Sequence, residues 1–229
     1  MSTLTLVRHG QATPFEKVTD RLSSLGEEQS RVLGEYWRRR GTAFHSIVRG
    51  SLERHRQTCE ALAFGEARID PGWNEYRADE IIGVLSPLLE AADSGYALLA
   101  VASREGMAEP ERNRHFQKML EVLMGAWASG ALAAQGVETF AEFEARVRAA
   151  LQAVLGGAPR RDVLVITSGG PIGWCVRHAL GAPAQAFLDV NWRMRNTSVT
   201  EFTFSSSRFT LDTMNGLPHL EDRRLWTWR

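Results

Sequence analysis

Arg8-His9-Gly10 puts a cation, an imidazole and a small residue side by side within ten residues of the N-terminus. Arg54 follows in Ser51-Leu52-Glu53-Arg54, and Ser168-Gly169-Gly170-Pro171 opens a later segment with hydroxyl and bare backbone. Guanidinium forks and helix-opening amides suit a phosphate, and an imidazole can attack phosphorus. Other phosphate chemistries fail on spacing. Neither lysine, Lys17 nor Lys118, follows a glycine, so no nucleotide-binding P-loop exists. Counting six residues on from Cys59 and Cys175 gives Gly65 and Gly181, not the arginine that a cysteine phosphatase needs. The six histidines form no HExxH and pair with no cysteine at zinc spacing, so neither metal nor cofactor is expected.

Position gives these residues their meaning. Residues 3–8 read as a strand, and Ser24 with Glu27 as the capping box of a helix closing at Arg38-Arg39-Arg40-Gly41. Phe44–Arg49 reads as a second strand, and Ser51 as the cap of a helix running to about Phe64 with Gly65 as its stop. The apolar run 163–167 marks a parallel strand covered on both faces, with Pro171 as first residue of the next helix and Gly181 as its end. Ser198–Phe204 and Phe209–Met214 read as paired strands. The fold class is therefore α/β, a three-layer sandwich with a mainly parallel central sheet. Residues 78–158 differ. Phe116, Met119, Leu120, Leu123, Met124 and Trp127 form one helical stripe; Phe140, Phe143, Val147, Leu151 and Val154 form another. One domain, 1–229, with a helical insertion about 78–158 is the expected organisation. Ligands of such sheets bind at the carboxyl ends of strands, and His9, Arg54 and Ser168-Gly169-Gly170 all leave strands there.

Composition narrows the partners. The chain has 229 residues, 27 basic and 27 acidic, and zero formal charge, so it lacks the field that nucleic-acid binding needs. No apolar run approaches the ~20 residues of a membrane span. The N-terminus does not read as a signal peptide, and a cytoplasmic location is expected. Cys59 and Cys175 read as inert core thiols. His178 reads as structural, and His55 as structural or rim because it points to another helix face than Arg54. His219 belongs to a segment that could return beneath the His9 loop. Trp226 and Trp228 read as packing or as the contact of a homodimer.

The chain resembles the histidine phosphatase superfamily, the phosphoglycerate-mutase-like proteins. The matching stretches include Leu4–Gln11, Leu22–Gly26 with Gln29, Ser51–Arg54 with Gln57-Thr58, Glu75, Val163–Gly170, Asn196-Thr197-Ser198 and His219-Leu220. The resemblance implies that His9 is a nucleophile forming a phosphohistidine and that Arg8 and Arg54 clamp the phosphoryl oxygens. It implies that Glu75 is the acid and then the base, and that Gly10, Gln11, Gly169 and Gly170 line the phosphate site. The family's second catalytic histidine is replaced here by Ser168, and an asparagine that often touches the phosphate is replaced by Phe15. The implied activity is phosphomonoester hydrolysis of a small phosphorylated metabolite without metal. A phosphoglycerate-type mutase and a phosphate-binding module with weak catalysis are the alternatives.

Overall fold

The computed structural model describes residues 2–13, 20–104, 109–156 and 161–228. Phe15 lies outside the described residues. In chain order the elements are β1 (Ser2–Arg8), α1 (Ser24–Arg39), β2 (Ser46–Arg49), α2 (Glu53–Leu62), β3 (Arg68–Ile69), α3 (Ala78–Ala92), α4 (Ser94–Arg104), α5 (Glu109–Ala128), α6 (Phe140–Leu155), β4 (Asp162–Thr167), α7 (Gly169–Leu180), α8 (Gln185–Asn191), β5 (Val199–Phe204) and β6 (Phe209–Gly216). Two compact units divide the chain: Met1–Glu75 with Arg146–Arg229, and Tyr76–Ala145.

The first unit holds a six-stranded sheet in the order β3-β2-β4-β1-β5-β6. Strands β3, β2, β4 and β1 run parallel, while β5 runs antiparallel to β1 and β6 antiparallel to β5. Val7, Ile47, Leu164 and Ile166 face α1 and α2 and pack with Leu33, Trp37, Cys59 and Leu62. The alternate residues Leu4, Leu6, Val163 and Val165 point the other way and are equally buried, so the sheet is covered on both faces. Register decides where the site forms. Arg8 pairs with Thr167 and Arg49 with Ile166, so β1, β2 and β4 end together at one edge. The second unit is helical: α3, α4 and α5 pack on one another, and Trp127 meets Tyr76, Phe140 and Phe143 at 5.2–5.9 Å between ring centroids.

Four helix boundaries differ from the sequence expectation. Ser23, not Ser24, caps α1, its hydroxyl accepting from the Gly26 amide. Residues 11–13 pair with 21–23 through Thr13 N–H to Arg21 O and Ser23 N–H to Gln11 O. That pairing keeps the chain extended through Ser23 and lets the helix begin only afterwards. Ser51 does not cap α2: its amide and hydroxyl both bond the Asn74 side chain, and Leu52 takes the cap position without a side-chain bond. The helix ends at Leu62, with Ala63 left-handed at φ 55. Finally, α7 starts at Gly169, two residues before Pro171, which the first turn tolerates because its amide needs no partner. The short strand β3 had no sequence signal.

Candidate active site

His9 leaves the end of β1 and is pinned from three sides. Its amide donates to Thr167 O at 2.9 Å, and its carbonyl accepts from Asn196 Nδ2 at 3.2 Å and from the Thr197 amide at 3.3 Å. Thr197 makes that contact from a left-handed conformation, φ 55. The imidazole is 6% exposed, with Nδ1 2.7 Å from Gly10 O. A carbonyl only accepts, so Nδ1 carries the proton and Nε2 keeps its lone pair. Arg54 Nε donates to that Nε2 at 3.1 Å. Burial first, then the Arg54, Arg8 and His55 charges, hold the His9 pKa well below the usual 6.5. A neutral, oriented imidazole with one lone pair facing a guanidinium is the result.

The first-strand loop can sit this close to α1 only because of its glycines. A Cβ on Gly10 would lie 2.3 Å from Gly26 O, and one on Gly26 would lie 2.1 Å from Gln11 O. Their contact sends the Gly10 amide to Thr58 Oγ1 at 3.1 Å, while Gln11 N–H goes to Gln29 Oε1 at 3.0 Å. These two amides therefore serve the loop rather than an anion. Thr58 Oγ1 in turn donates to Arg54 O at 2.8 Å, tying α2 to the His9 loop.

Arg54 stands on the first turn of α2, held by a residue that the sequence did not single out. Asp20 accepts from Arg54 Nη1 at 2.5 Å through one oxygen and from the Glu53 amide at 2.8 Å through the other. One carboxylate thus fixes the guanidinium and caps the helix. Arg8, at the end of β1, donates through Nη1 to Met194 O. Glu75 accepts from the Gly170 amide at 3.1 Å on each oxygen, a carboxylate at the N-terminus of α7. The Gly170 amide, expected on a phosphate, is spent there. Arg146 braces Glu75's backbone from α6, donating to Asn74 O at 2.7 Å and Glu75 O at 3.2 Å.

Ser168 caps α7 without a side-chain cap bond and is fully buried. Its hydroxyl lies 2.8 Å from His55 Nε2. His55 is also fully buried, its ring 5.7 Å from that of His9, so it is part of this site and not a rim residue. The structural alternative of the sequence reading stands; the contact with Ser168 is what separating the faces of α2 left out. His178, by contrast, stacks on Trp174 at 4.9 Å in α7. His219 does sit beneath the loop: Nε2 is 3.0 Å from Thr197 Oγ1, and burial lowers its pKa to about 4. Gln29 reaches Leu225 O and Thr227 Oγ1, while Thr227 Oγ1 donates to Asn196 Oδ1, so the C-terminal segment underpins the same loop. Trp226 and Trp228 lie against the Arg195 guanidinium. Among the described residues no three His, Cys, Asp or Glu side chains gather as a metal site, and no helix is long and apolar enough to cross a membrane.

The sequence pattern of the histidine phosphatase superfamily, branch 1, matches residues 4–96 and 99–216. The chain belongs to this superfamily. No curated protein sequence matches it. Solved structures do. Phosphoserine phosphatase from Entamoeba histolytica, a mutant with phosphoserine, is 17% identical with a TM-score of 0.67, covering 96% of this chain and 100% of the other. Bacillus stearothermophilus YhfR is 19% identical with a TM-score of 0.67 and the same coverage. The mycobacterial glucosyl-3-phosphoglycerate phosphatase is 23% identical with a TM-score of 0.63, covering 96% and 99%. At these identities the likeness is one of fold: a histidine phosphatase sheet of the phosphoglycerate-mutase-like kind.

Proposed function

We propose that this protein is a metal-independent phosphomonoesterase that hydrolyses a small phosphorylated metabolite through a phosphohistidine on His9. The observation that carries the reading is the His9 tautomer. With Nδ1–H held on Gly10 O, only Nε2 can attack, and Arg54 already marks where anionic oxygens would lie. The Nε2 lone pair forms the N–P bond as the P–O bond to the leaving alcohol breaks, and the alcohol takes a proton from Glu75. Water then attacks phosphorus, gives its proton to the Glu75 carboxylate, and releases phosphate with His9 neutral again. Arg8 and Arg54 stabilise charge on the equatorial oxygens in both steps. Glu75 switches from acid to base while the Gly170 amide holds its carboxyl group in place. The relatives of similar fold that bear phosphatase names act on phosphoserine and on glucosyl-3-phosphoglycerate, which fits a small-metabolite substrate.

The test is brief incubation with a labile phosphate donor in chelator, followed by hydrolysis of an aryl phosphate. Wild type should acquire an acid-labile, base-stable phosphoryl label and turn over; His9→Ala should do neither. Label persisting in His9→Ala would remove His9 as nucleophile. Anion binding with no label and no turnover would make the protein a binding module.

A further inference from the structure

The contact between His55 and Ser168 leaves a hydrogen-bond account that does not close. Both side chains are fully buried, so the account must be met inside the protein rather than by bulk solvent. Ser168 Oγ has His55 Nε2 as its hydrogen-bond partner, and His55 Nδ1 has none. Two arrangements are open to a neutral ring. In one, the Ser168 hydroxyl donates to Nε2 and a bare N–H is left at Nδ1. In the other, Nε2–H donates to Ser168 Oγ and the hydroxyl hydrogen is left without an acceptor. Either way one buried donor is unspent.

The surroundings of Nδ1 select the second arrangement. Gly50 approaches it so closely that a Cβ there would lie 2.2 Å from Nδ1 and 2.6 Å from Asn74 Oδ1, an acceptor already engaged by the Ser51 amide at 2.7 Å. The Arg49 guanidinium sits on the carbonyl of that same glycine, Nη1 to Gly50 O at 2.9 Å. Arg49 is one of two cations that act on the His55 ring, and from the Gly50 side it favours a lone pair over an N–H there. The unspent donor is then the Ser168 hydroxyl, at the end of β4 next to the end of β1. What this hydrogen lacks is an acceptor. Phosphoryl transfer to His9 Nε2 must lift Arg54 Nε from that nitrogen, and the His55 ring that holds Ser168 stands 5.7 Å from the ring of His9.

We propose that His55 is a positioning residue of the phosphoryl-transfer site: its Nε2–H occupies a lone pair of Ser168 Oγ and turns the hydroxyl hydrogen toward a phosphoryl oxygen on His9. The pair thereby does the work of one neutral donor, split between two residues on α2 and at the head of α7. This rests on reading the site as phosphoryl-transferring. The donor matters only when an anion is present, so its loss should appear in kcat more than in KM.

Three arms test it. His55→Phe fills the space without a donor, whereas the amide of His55→Gln can still reach Ser168. His55→Phe should lower kcat on an aryl phosphate by about 10-fold or more with KM little changed, short of the 10²–10³ that one oxyanion donor typically provides; His55→Gln should recover most of it. In a Ser168→Ala background His55→Phe should cost nothing further. Equal activity of the Phe variant, or independent losses that multiply, would overturn the proposal. Nitrogen-15 NMR of the wild-type imidazole should show Nε2 protonated and Nδ1 bare; a protonated Nδ1 would refute it regardless of activity. If the wild type proves inactive as a phosphatase, orthovanadate binding still decides. Its affinity should fall alike in His55→Phe and Ser168→Ala, and unchanged affinity in both would overturn the pair.

Discussion

Three buried imidazoles tie the stability of this fold to pH. His9, His55 and His219 are each at most 6% exposed. Burial is the largest cause of a lowered pKa in all three, to about 4 for His219 and well below 6.5 for the other two. At pH 7 the native rings are neutral and the unfolded ones mostly so, about a quarter protonated at a pKa of 6.5. As pH falls below 6.5 the unfolded chain takes up protons that the native rings refuse, so stability drops. Linkage makes this about 1.36 kcal/mol per pH unit per ring once the unfolded ring is protonated and the native one is not. For His219 the loss from pH 7 to pH 5 is about 2 kcal/mol, and His9 and His55 add to it with the same sign. Typical domains hold only about 5–15 kcal/mol in total, so the effect is large. The lowered carboxylates of Glu53, Glu142 and Asp222 titrate below 4.5 and stay outside this window. Urea unfolding followed by tryptophan fluorescence at pH 7, 6 and 5 measures the slope. His219→Gln should flatten it by about 2 kcal/mol between pH 7 and pH 5 while keeping a donor for Thr197. Equal stability at pH 5 and pH 7, or a His219→Gln slope matching wild type, would refute the assignment of buried neutral rings.

Arg54→Ala should weaken vanadate or phosphate binding by about 1.5–3 kcal/mol, the worth of a hydrogen bond to a charged group, measured by titration calorimetry. Asp20→Asn should weaken it less, because the guanidinium stays but loses its tether. Ser23→Ala should cost about 1 kcal/mol in chemical unfolding and Ser24→Ala less than about 0.5, since only Ser23 caps α1. Gly34→Ala, which would favour an isolated helix, should instead destabilise by about 1–3 kcal/mol: its Cβ would lie 2.4 Å from Leu62 O, where α1 and α2 touch.

What the sequence made legible was whatever depends on local pattern. The run Val163–Thr167 has no polar interruption until its end, so β4 could only be a doubly covered strand, and it pairs with β1 and β2 on both sides. Once β1, β2 and β4 are parallel neighbours, His9, Arg54 and Ser168 must emerge at one edge, and they do. Boundaries set by distant partners were not legible. Ser24 and Ser51 each had the local credentials of a cap, but Ser23 was held extended by Gln11, and Ser51 was taken by Asn74. Asp20 gave no signal, because its role exists only when residue 20 meets the head of α2.

The contact of His55 with Ser168 escaped a sound rule applied at the wrong place. Adjacent residues on a helix point about 100° apart, so a helix lying flat on a sheet can offer only one of them to a site. The head of α2 does not lie flat on its site; it stands at the edge where β2 borders β4 and β4 borders β1. From the first turn Arg54 reaches across to His9 at the end of β1, and His55 reaches Ser168 at the end of β4. The 100° between them matches two targets on neighbouring strands. A residue judged to face away from a helix's functional neighbour can therefore still meet the same strand ends when it lies in the first turn after a strand. Here that turn supplies the guanidinium to one side of the pocket and the imidazole to the other.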